Sequence, residues 1–418
     1  MNSSRIAPPD RGSAVRKGAT AILDQFLFVG ASSLLVLLLG RGLDADQYGA
    51  FVLAYTLFQL LGQAQTAVIA EPMSVFGPSR FAARENDYIL AVHSLNLRSA
   101  LLAAAVMLAL AALSAAIGKP PLAAAFLGAG VAAPLLLSLW LRRRALYLQG
   151  RIRRSVVASS LYLVISVGGV YGLLRLGLLN ALTGMIALAA GSGLALMASP
   201  LTPAEPGERS SNVLRLHWEY GRWALLTALL GWCGNLYYFL LPIRHGLEST
   251  AALRAVMNFV YPIIQVNQAL AFFLLPRWSA HGSRVGFTRS LLEVTGAWSL
   301  FSLALFGGSV LFGPAVMHWV YKGQYDAFAF LLPWAVLLTL PDGVSYVIGS
   351  GLRAGRMPHR VAAAALALPI VLVFPGALFV FLWGPAGAVA ALLIASAGQL
   401  GLSWYGWRRR DEAVIPAA

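Results

Sequence analysis

The chain has 418 residues, 59% of them hydrophobic and only 11% charged, with a formal net charge of +15 and a mean hydropathy of +0.72. A soluble domain carries about 25% charged residues; this chain has too little polar surface to cover so apolar an interior, so a soluble globular protein is excluded. The cations lie mainly between hydrophobic runs, which points to topology and anionic lipid headgroups and away from nucleic acid.

Runs of membrane-crossing length, roughly 20 residues, predict helices in chain order at 22–40, 49–70, 89–117, 121–140, 156–174, 176–198, 223–243, 255–275, 291–313, 327–349, 361–382 and 385–405. The first follows a long basic leader and has no Ala-x-Ala site after Gly40, so it reads as a retained helix and not a signal peptide. "GKPP" at Gly118–Pro121 splits one apolar tract into a hairpin, because proline interrupts helical bonding and glycine permits the turn. The corner at Leu174–Leu176 is expected to do the same with less punctuation. The expected organisation is a tail 1–21, a six-helix bundle 22–198, a polar linker 199–222, a second six-helix bundle 223–405 and a tail 406–418. The fold class is therefore an all-α integral membrane protein of about 12 spans.

An even number of spans places both termini on one side. With 1–21, 71–88, 141–155, 199–222, 276–290, 350–360 and 406–418 inside, the inner segments hold 24 of the 31 Lys and Arg. This bias predicts cytoplasmic termini in a multi-pass protein. The densest cluster, Arg142–Arg144 followed by Arg151, Arg153 and Arg154, reads as a topology anchor or as a grip on pyrophosphate. The second part of the linker alternates Leu214 and Trp218 with Arg215 and Glu219, a pattern suited to the membrane interface.

The two halves repeat one another. "RGLDADQYGAF" from Arg41 and "HGLESTAALRA" from His245 align without a gap. Gly42 falls on Gly246, Leu43 on Leu247, Asp44 on Glu248, Gln63 on Asn267 and Pro72 on Pro276, a constant offset of 204 residues. Six spans per copy make the repeat parallel, an arrangement suited to two bundles rocking about a central cavity.

A charge within hydrocarbon is costly and usually faces a bundle interior or a wet cavity. Arg98 is the deepest cation, and its guanidinium suits an anionic ligand; snorkelling or a structural acid partner fits equally. Asp24 reads either as an interfacial carboxylate at a helix start or as a cavity or proton-coupling group. Glu293 and Asp342 could balance a buried arginine or carry a proton. Tyr55, Gln59 and Gln63 recur every four residues on one helix face. Asn258, Tyr261, Gln265 and Gln268, at spacings of three, four and three, fall close to one face of the repeat partner, and Asn235, Tyr237 and Tyr238 are secondary cavity candidates. Such amides and phenols bind hydroxyls or glue helices together. The six histidines show no metal spacing, and HExxH and nucleotide-loop motifs are absent. A lone cysteine, Cys233, excludes a disulfide framework and a multi-cysteine metal site.

"LLGRGLDADQYGAF" at Leu38–Phe51, the amide-bearing helix after it and the proline exit resemble the first hairpin of the bacterial polysaccharide biosynthesis and export family. That family covers O-antigen, exopolysaccharide and teichoic acid flippases and belongs to a wider superfamily of flippases and multidrug exporters. The resemblance implies a non-enzymatic inner-membrane transporter that flips undecaprenyl-diphosphate-linked oligosaccharides by alternating access. It implies Arg98, then Arg254, as countercharge to the diphosphate, with Gln59, Gln63, Asn258 and Gln265 contacting sugar hydroxyls. No cofactor is implied beyond H+ or Na+ coupling. Membrane lipids, a polysaccharide polymerase and chain-length or export machinery are the expected partners. An ion-coupled multidrug exporter is the alternative, and a scaffold or polymerase partner a further one.

Overall fold

The structure, a computed structural model, describes residues 11–201, 210–279, 284–354 and 357–409. Those residues are helical almost throughout: α1 (Arg11–Gly42), α2 (Ala45–Gln65), α3 (Glu71–Ser79), α4 (Glu85–Ala116), α5 (Pro120–Leu148), α6 (Ile152–Arg175), α7 (Ala181–Met197), α8 (Ser210–Trp232), α9 (Tyr237–Ser279), α10 (Arg284–Tyr321), α11 (Leu331–Leu337), α12 (Thr339–Ala354), α13 (Pro358–Ala365), α14 (Ala367–Val373) and α15 (Pro375–Arg408). Among the described residues nine helical segments are long and apolar enough to cross a membrane, and Ala181–Met197 and His359–Val373 are shorter apolar helices. The expectation of an all-α, membrane-embedded chain is met at this level. An all-helical chain is what hydrocarbon demands, since only internal hydrogen bonding satisfies the backbone there.

The helix ends follow local chemistry. Gly118 turns the α4–α5 hairpin at φ 70°, and Pro120 opens α5 where a missing amide costs nothing. The α6–α7 corner is wider than expected at Leu174–Leu176. Helix α6 runs to Arg175, Gly177 takes φ 69°, and α7 starts only at Ala181. The start is set by Asn180, whose side chain accepts from the Thr183 amide while the Thr183 hydroxyl accepts from the Asn180 amide. The exit expected at Pro72 is also displaced. A five-residue π-helical turn, Thr66–Ala70, leads directly into α3, whose first turn accommodates Pro72. Two other corners are single kinks at glycines with non-helical backbone, Gly246 in α9 (φ 75°) and Gly384 in α15 (φ 59°). They fall where spans 7 and 8, and spans 11 and 12, were expected to part.

Two compact units emerge, and their boundaries depart from the expected 22–198 and 223–405. Unit 1 takes the described residues within Met1–Leu43 and Leu57–Ala228; unit 2 takes Asp44–Thr56 and those within Leu229–Ala418. The first turns of α2 thus pack with the second unit, and most of linker helix α8 with the first. In unit 1, α4 packs on α5, α5 on α7 and α1 on α6. One of its cores joins Ile69, Met73, Tyr88, Val92, Leu141 and, from α8, Val213. In unit 2, α9, α12 and α15 pack together around a core that includes Trp298, Ile348, Leu352 and Trp407.

Gly49 shows why α2 begins in unit 2. A methyl group there would stand 2.3 Å from the Leu247 carbonyl oxygen, so only glycine lets the two backbones meet. Gly49→Ala should lower stability by about 1–3 kcal/mol through overpacking. Gly168→Ala, in open space on α6, should be neutral or stabilising through helix propensity. Thermal unfolding of both variants in detergent checks this; equal midpoints would contradict the close approach.

Candidate functional site

In unit 1 the polar centre is Asp24. It is fully buried and its carboxylate accepts four side-chain hydrogen bonds: Arg143 Nη2 at 2.7 Å, Tyr147 at 2.8 Å, Ser155 at 3.0 Å and Ser159 at 2.6 Å. The Arg143 guanidinium also lies 3.9 Å from the Phe28 ring centroid. Arg143 and Tyr147 are four apart on α5, and Ser155 and Ser159 four apart on α6, so each helix turns one face to the acid. The arginine cluster that reads in sequence as a topology anchor or pyrophosphate grip thus lends one member to a buried ion pair. That spacing was the available signal for these partners; nothing local tied them to Asp24. A second polar seam runs from Gln65 Nε2 to Asn96 Oδ1 and from Asn96 Nδ2 to Ser138 at 3.5 Å.

Unit 2 holds a cavity of about 200 Å³. Its wall is mostly leucine, with Met257 and Ile264, and its polar groups are Asn235, Tyr238, Tyr261, Asp342 and Ser396. Asn235 is placed by the tight turn Cys233–Leu236 between α8 and α9 and donates to the Trp232 carbonyl at 3.3 Å. The Tyr238 and Tyr261 hydroxyls are 2.9 Å apart. Behind these two rings lies Arg254, 4.8 Å from the Tyr261 centroid and 5.9 Å from that of Tyr238. Tyr48 and Tyr55 are within its electrostatic reach, and among the described residues it forms no ion pair. One turn on, Asn258 donates to the hydroxyls of Tyr48 at 2.9 Å and Tyr321 at 3.1 Å.

The structure therefore gathers Asn235, Arg254, Asn258 and Asp342 in unit 2, with Tyr55 buried nearby on α2. Gln265 is exposed on α9. Gln59, half-buried, and Gln63, exposed, belong to unit 1. Arg98 is exposed on α4 beside the exposed Leu97, Leu101 and Leu102. Glu293 is an exposed partner of Arg289 at 2.9 Å, four residues away on α10, which accounts for it without a cavity. The side chains of Asn267, Gln268 and Pro276 lie outside the described set. Among the described residues no group of three or more His, Cys, Asp or Glu could hold a metal ion. Of the tyrosines around Arg254, Tyr55, Tyr238 and Tyr261 are among the expected cavity residues; Tyr48 is the unexpected member, because it lies about two hundred positions away in the chain.

No protein-family model matches the chain, and no curated protein matches its sequence. Solved structures do match its fold. An inward-facing multidrug resistance MATE family transporter of the MOP superfamily is 14% identical with a TM-score of 0.71, covering 94% of this chain and 98% of that one. The lipid II flippase MurJ in an inward closed conformation is 12% identical with a TM-score of 0.73, covering 94% and 87%. A MOP superfamily transporter from Pyrococcus furiosus Vc1 is 12% identical with a TM-score of 0.65, covering 96% and 95%. At these identities the likeness is one of fold, and this chain shares the MATE and MurJ type of fold over nearly its whole length.

Breaking the Asp24–Arg143 pair from one side leaves a buried charge alone. Asp24→Asn should cost about 3–5 kcal/mol, and Asp24→Leu combined with Arg143→Met should cost less than either single change. Thermal unfolding in detergent reads both; additive losses would show that the pair is not a coupled unit.

Proposed function

We propose that this chain is a membrane transporter that moves an amphipathic organic cargo by alternating access, as an ion-coupled exporter. The observation that carries the reading is the unit 2 cavity, in which Asp342 sits among aromatic and aliphatic side chains. A carboxylate in an apolar pocket attracts a cation strongly, and ring faces add cation–π attraction. Several of the matched structures are multidrug resistance or MATE family transporters, which supports the same class. In this reading Asp342, which lines the cavity, takes a proton, a sodium ion or a cationic cargo, and Asp24, paired with Arg143, serves the framework of unit 1. The chain's place in this reading is a bacterial inner membrane, crossed many times with both termini cytoplasmic.

A second reading is favoured by Arg254. A guanidinium held by tyrosines suits an anionic headgroup, as in an undecaprenyl-diphosphate-linked oligosaccharide. The lipid II flippase match supports that class. Under this reading Asn258 and Asn235 contact sugar hydroxyls, and a polysaccharide polymerase and export machinery are partners. Neither reading requires a bond to be made or broken.

Proteoliposomes separate the two. For the exporter, a pH or sodium gradient drives uptake of a fluorescent organic cation, and Asp342→Asn lowers that uptake at least about tenfold while Arg254→Gln leaves it within about twofold, since about 1.4 kcal/mol is tenfold. For the flippase, a fluorescent undecaprenyl-diphosphate glycan changes leaflet, and Arg254→Gln abolishes the movement. Transport of neither cargo class by folded protein would remove both readings.

A further inference from the structure

A helical carbonyl at position i accepts from the amide four residues later, and proline has no amide hydrogen. Pro72 therefore offers no amide in α-helical register to the Val68 carbonyl, which lies in the π turn Thr66–Ala70, and the non-helical Gly384 with Pro385 after it breaks α15 within a turn of the Val380 and Phe381 carbonyls. Both breaks meet a histidine from another part of the chain. In unit 1, His217 Nδ1 stands 3.2 Å from the Val68 carbonyl. In unit 2, His245 Nε2 stands 3.1 Å from the Phe381 carbonyl and 3.1 Å from that of Val380. A carbonyl only accepts, so in each case the histidine nitrogen carries the hydrogen.

The His217 arrangement is the tighter. Its side chain is fully buried. With the hydrogen on Nδ1, Nε2 is left with a lone pair and accepts from the Tyr88 hydroxyl at 2.7 Å. One turn further along α8, Gly221 brings the backbones together: a methyl there would lie 2.8 Å from the Val68 Cα. Next to it the Tyr220 hydroxyl donates to Glu71 at 3.1 Å. Linker helix α8 is thus seated on the π turn and the Pro72 break by groups that match the break itself. The exposed Leu214 and Trp218 flank this seat.

We propose that His217 is a positioning residue that clamps linker helix α8 onto the proline-broken helix of unit 1 by supplying the hydrogen bond Pro72 cannot, and that His245 does the same for the α9 corner on α15 in unit 2. The bend of each broken helix is then held by a docked element and not by the helix's own bonding. A side-chain donor can withdraw without unfolding either partner, so each break can be released and reset. The inference stands apart from the nature of the cargo.

The His217 clamp has a pH signature. The groups facing it are Tyr88 from α4, Tyr220 on α8 itself and, beyond Tyr220, Glu71 of α3, with which Arg144 of α5 interacts. Among the described residues no carboxylate touches the imidazole. Burial therefore dominates and lowers its pKa to about 4. The neutral ring is the docked form, whereas an undocked ring titrates near its ordinary value of about 6.5. The contribution to docking is complete above that value. It weakens by up to about tenfold per pH unit as pH falls toward the docked value.

Hydrogen exchange of the full-length protein in detergent, read peptide by peptide, tests this without any cargo. His217→Phe keeps volume but removes the donor, and should raise exchange across 210–223 roughly tenfold, the value of one lost hydrogen bond. Pro72→Ala returns an amide to Val68, so in that background His217→Phe should change exchange by less than about threefold. His217→Asn, which keeps an N–H near the Nδ1 position, should retain most of the protection. In the unaltered protein, exchange corrected for its intrinsic pH dependence should be constant from pH 8 to about 6.5 and rise below it. An equal effect of His217→Phe in both backgrounds, no effect in either, or a flat corrected profile down to pH 4.5 would overturn the clamp. The titration decides the matter should His217→Phe not fold.

Discussion

Backbone hydrogen bonding in hydrocarbon is the constraint from which the rest of this architecture follows. Water is absent, so a carbonyl freed by a break in a helix must be met by another protein group or the break is costly. This chain breaks its helices often, with Pro72, Pro341, Pro375 and Pro385 and with glycines in positive φ. Polar side chains gather at such places. Tyr237 donates to the Leu372 carbonyl at the end of α14, Trp298 to Thr339 beside the α11–α12 break, and Arg360 to Gly406 near the end of α15. Arg142 donates to Ser199 just beyond α7. These breaks are therefore joints with assigned partners, each bond tying one segment to another.

The same medium sorts the charges. Asp24 and Arg143 neutralise one another at 2.7 Å, with three hydroxyls completing the carboxylate's coordination. The hydroxyls satisfy the carboxylate's lone pairs and so offset part of the desolvation cost, while the buried Arg143 Nε has no hydrogen-bond partner among the described residues. The pair is a framework interaction joining α1, α5 and α6. Arg254 is treated differently, with ring faces and hydroxyls in place of an acid, next to a cavity that also presents Asp342. Opposite charges so close to one apolar space give unit 2 the richer chemistry. They are also why cation export and anionic lipid transfer remain the two cargo classes worth separating.

Much of the fold was legible from hydropathy and punctuation. The GKPP hairpin, the corners near Gly246 and Gly384 and the helical nature of every long run depend on local properties: apolar length, missing amides and tolerance of positive φ. The site was less legible. Arg98 drew attention as a charge within an apolar run, yet it lies exposed on α4, and Glu293 is satisfied by Arg289 one turn away. Which face of a helix turns inward is decided by neighbours far along the chain, and hydropathy does not distinguish lipid from protein as an apolar surround. The pairing of Arg143 with Asp24, the seat of His217 and the approach of Tyr48 to Arg254 were hidden for the same reason.

The sequence by itself determined that this is a helical membrane chain, because spanning hydrocarbon leaves only a few ways to satisfy a backbone and those ways are written in local composition. Only the tertiary structure decided that Asp44–Thr56 packs with the second unit and most of α8 with the first, that Asp24 is neutralised, and that His217 and His245 complete helices not their own. Each of these is a pairing between residues more than a hundred positions apart or a close backbone approach at a glycine. Such pairings depend on side-chain direction and packing, which no local pattern encodes.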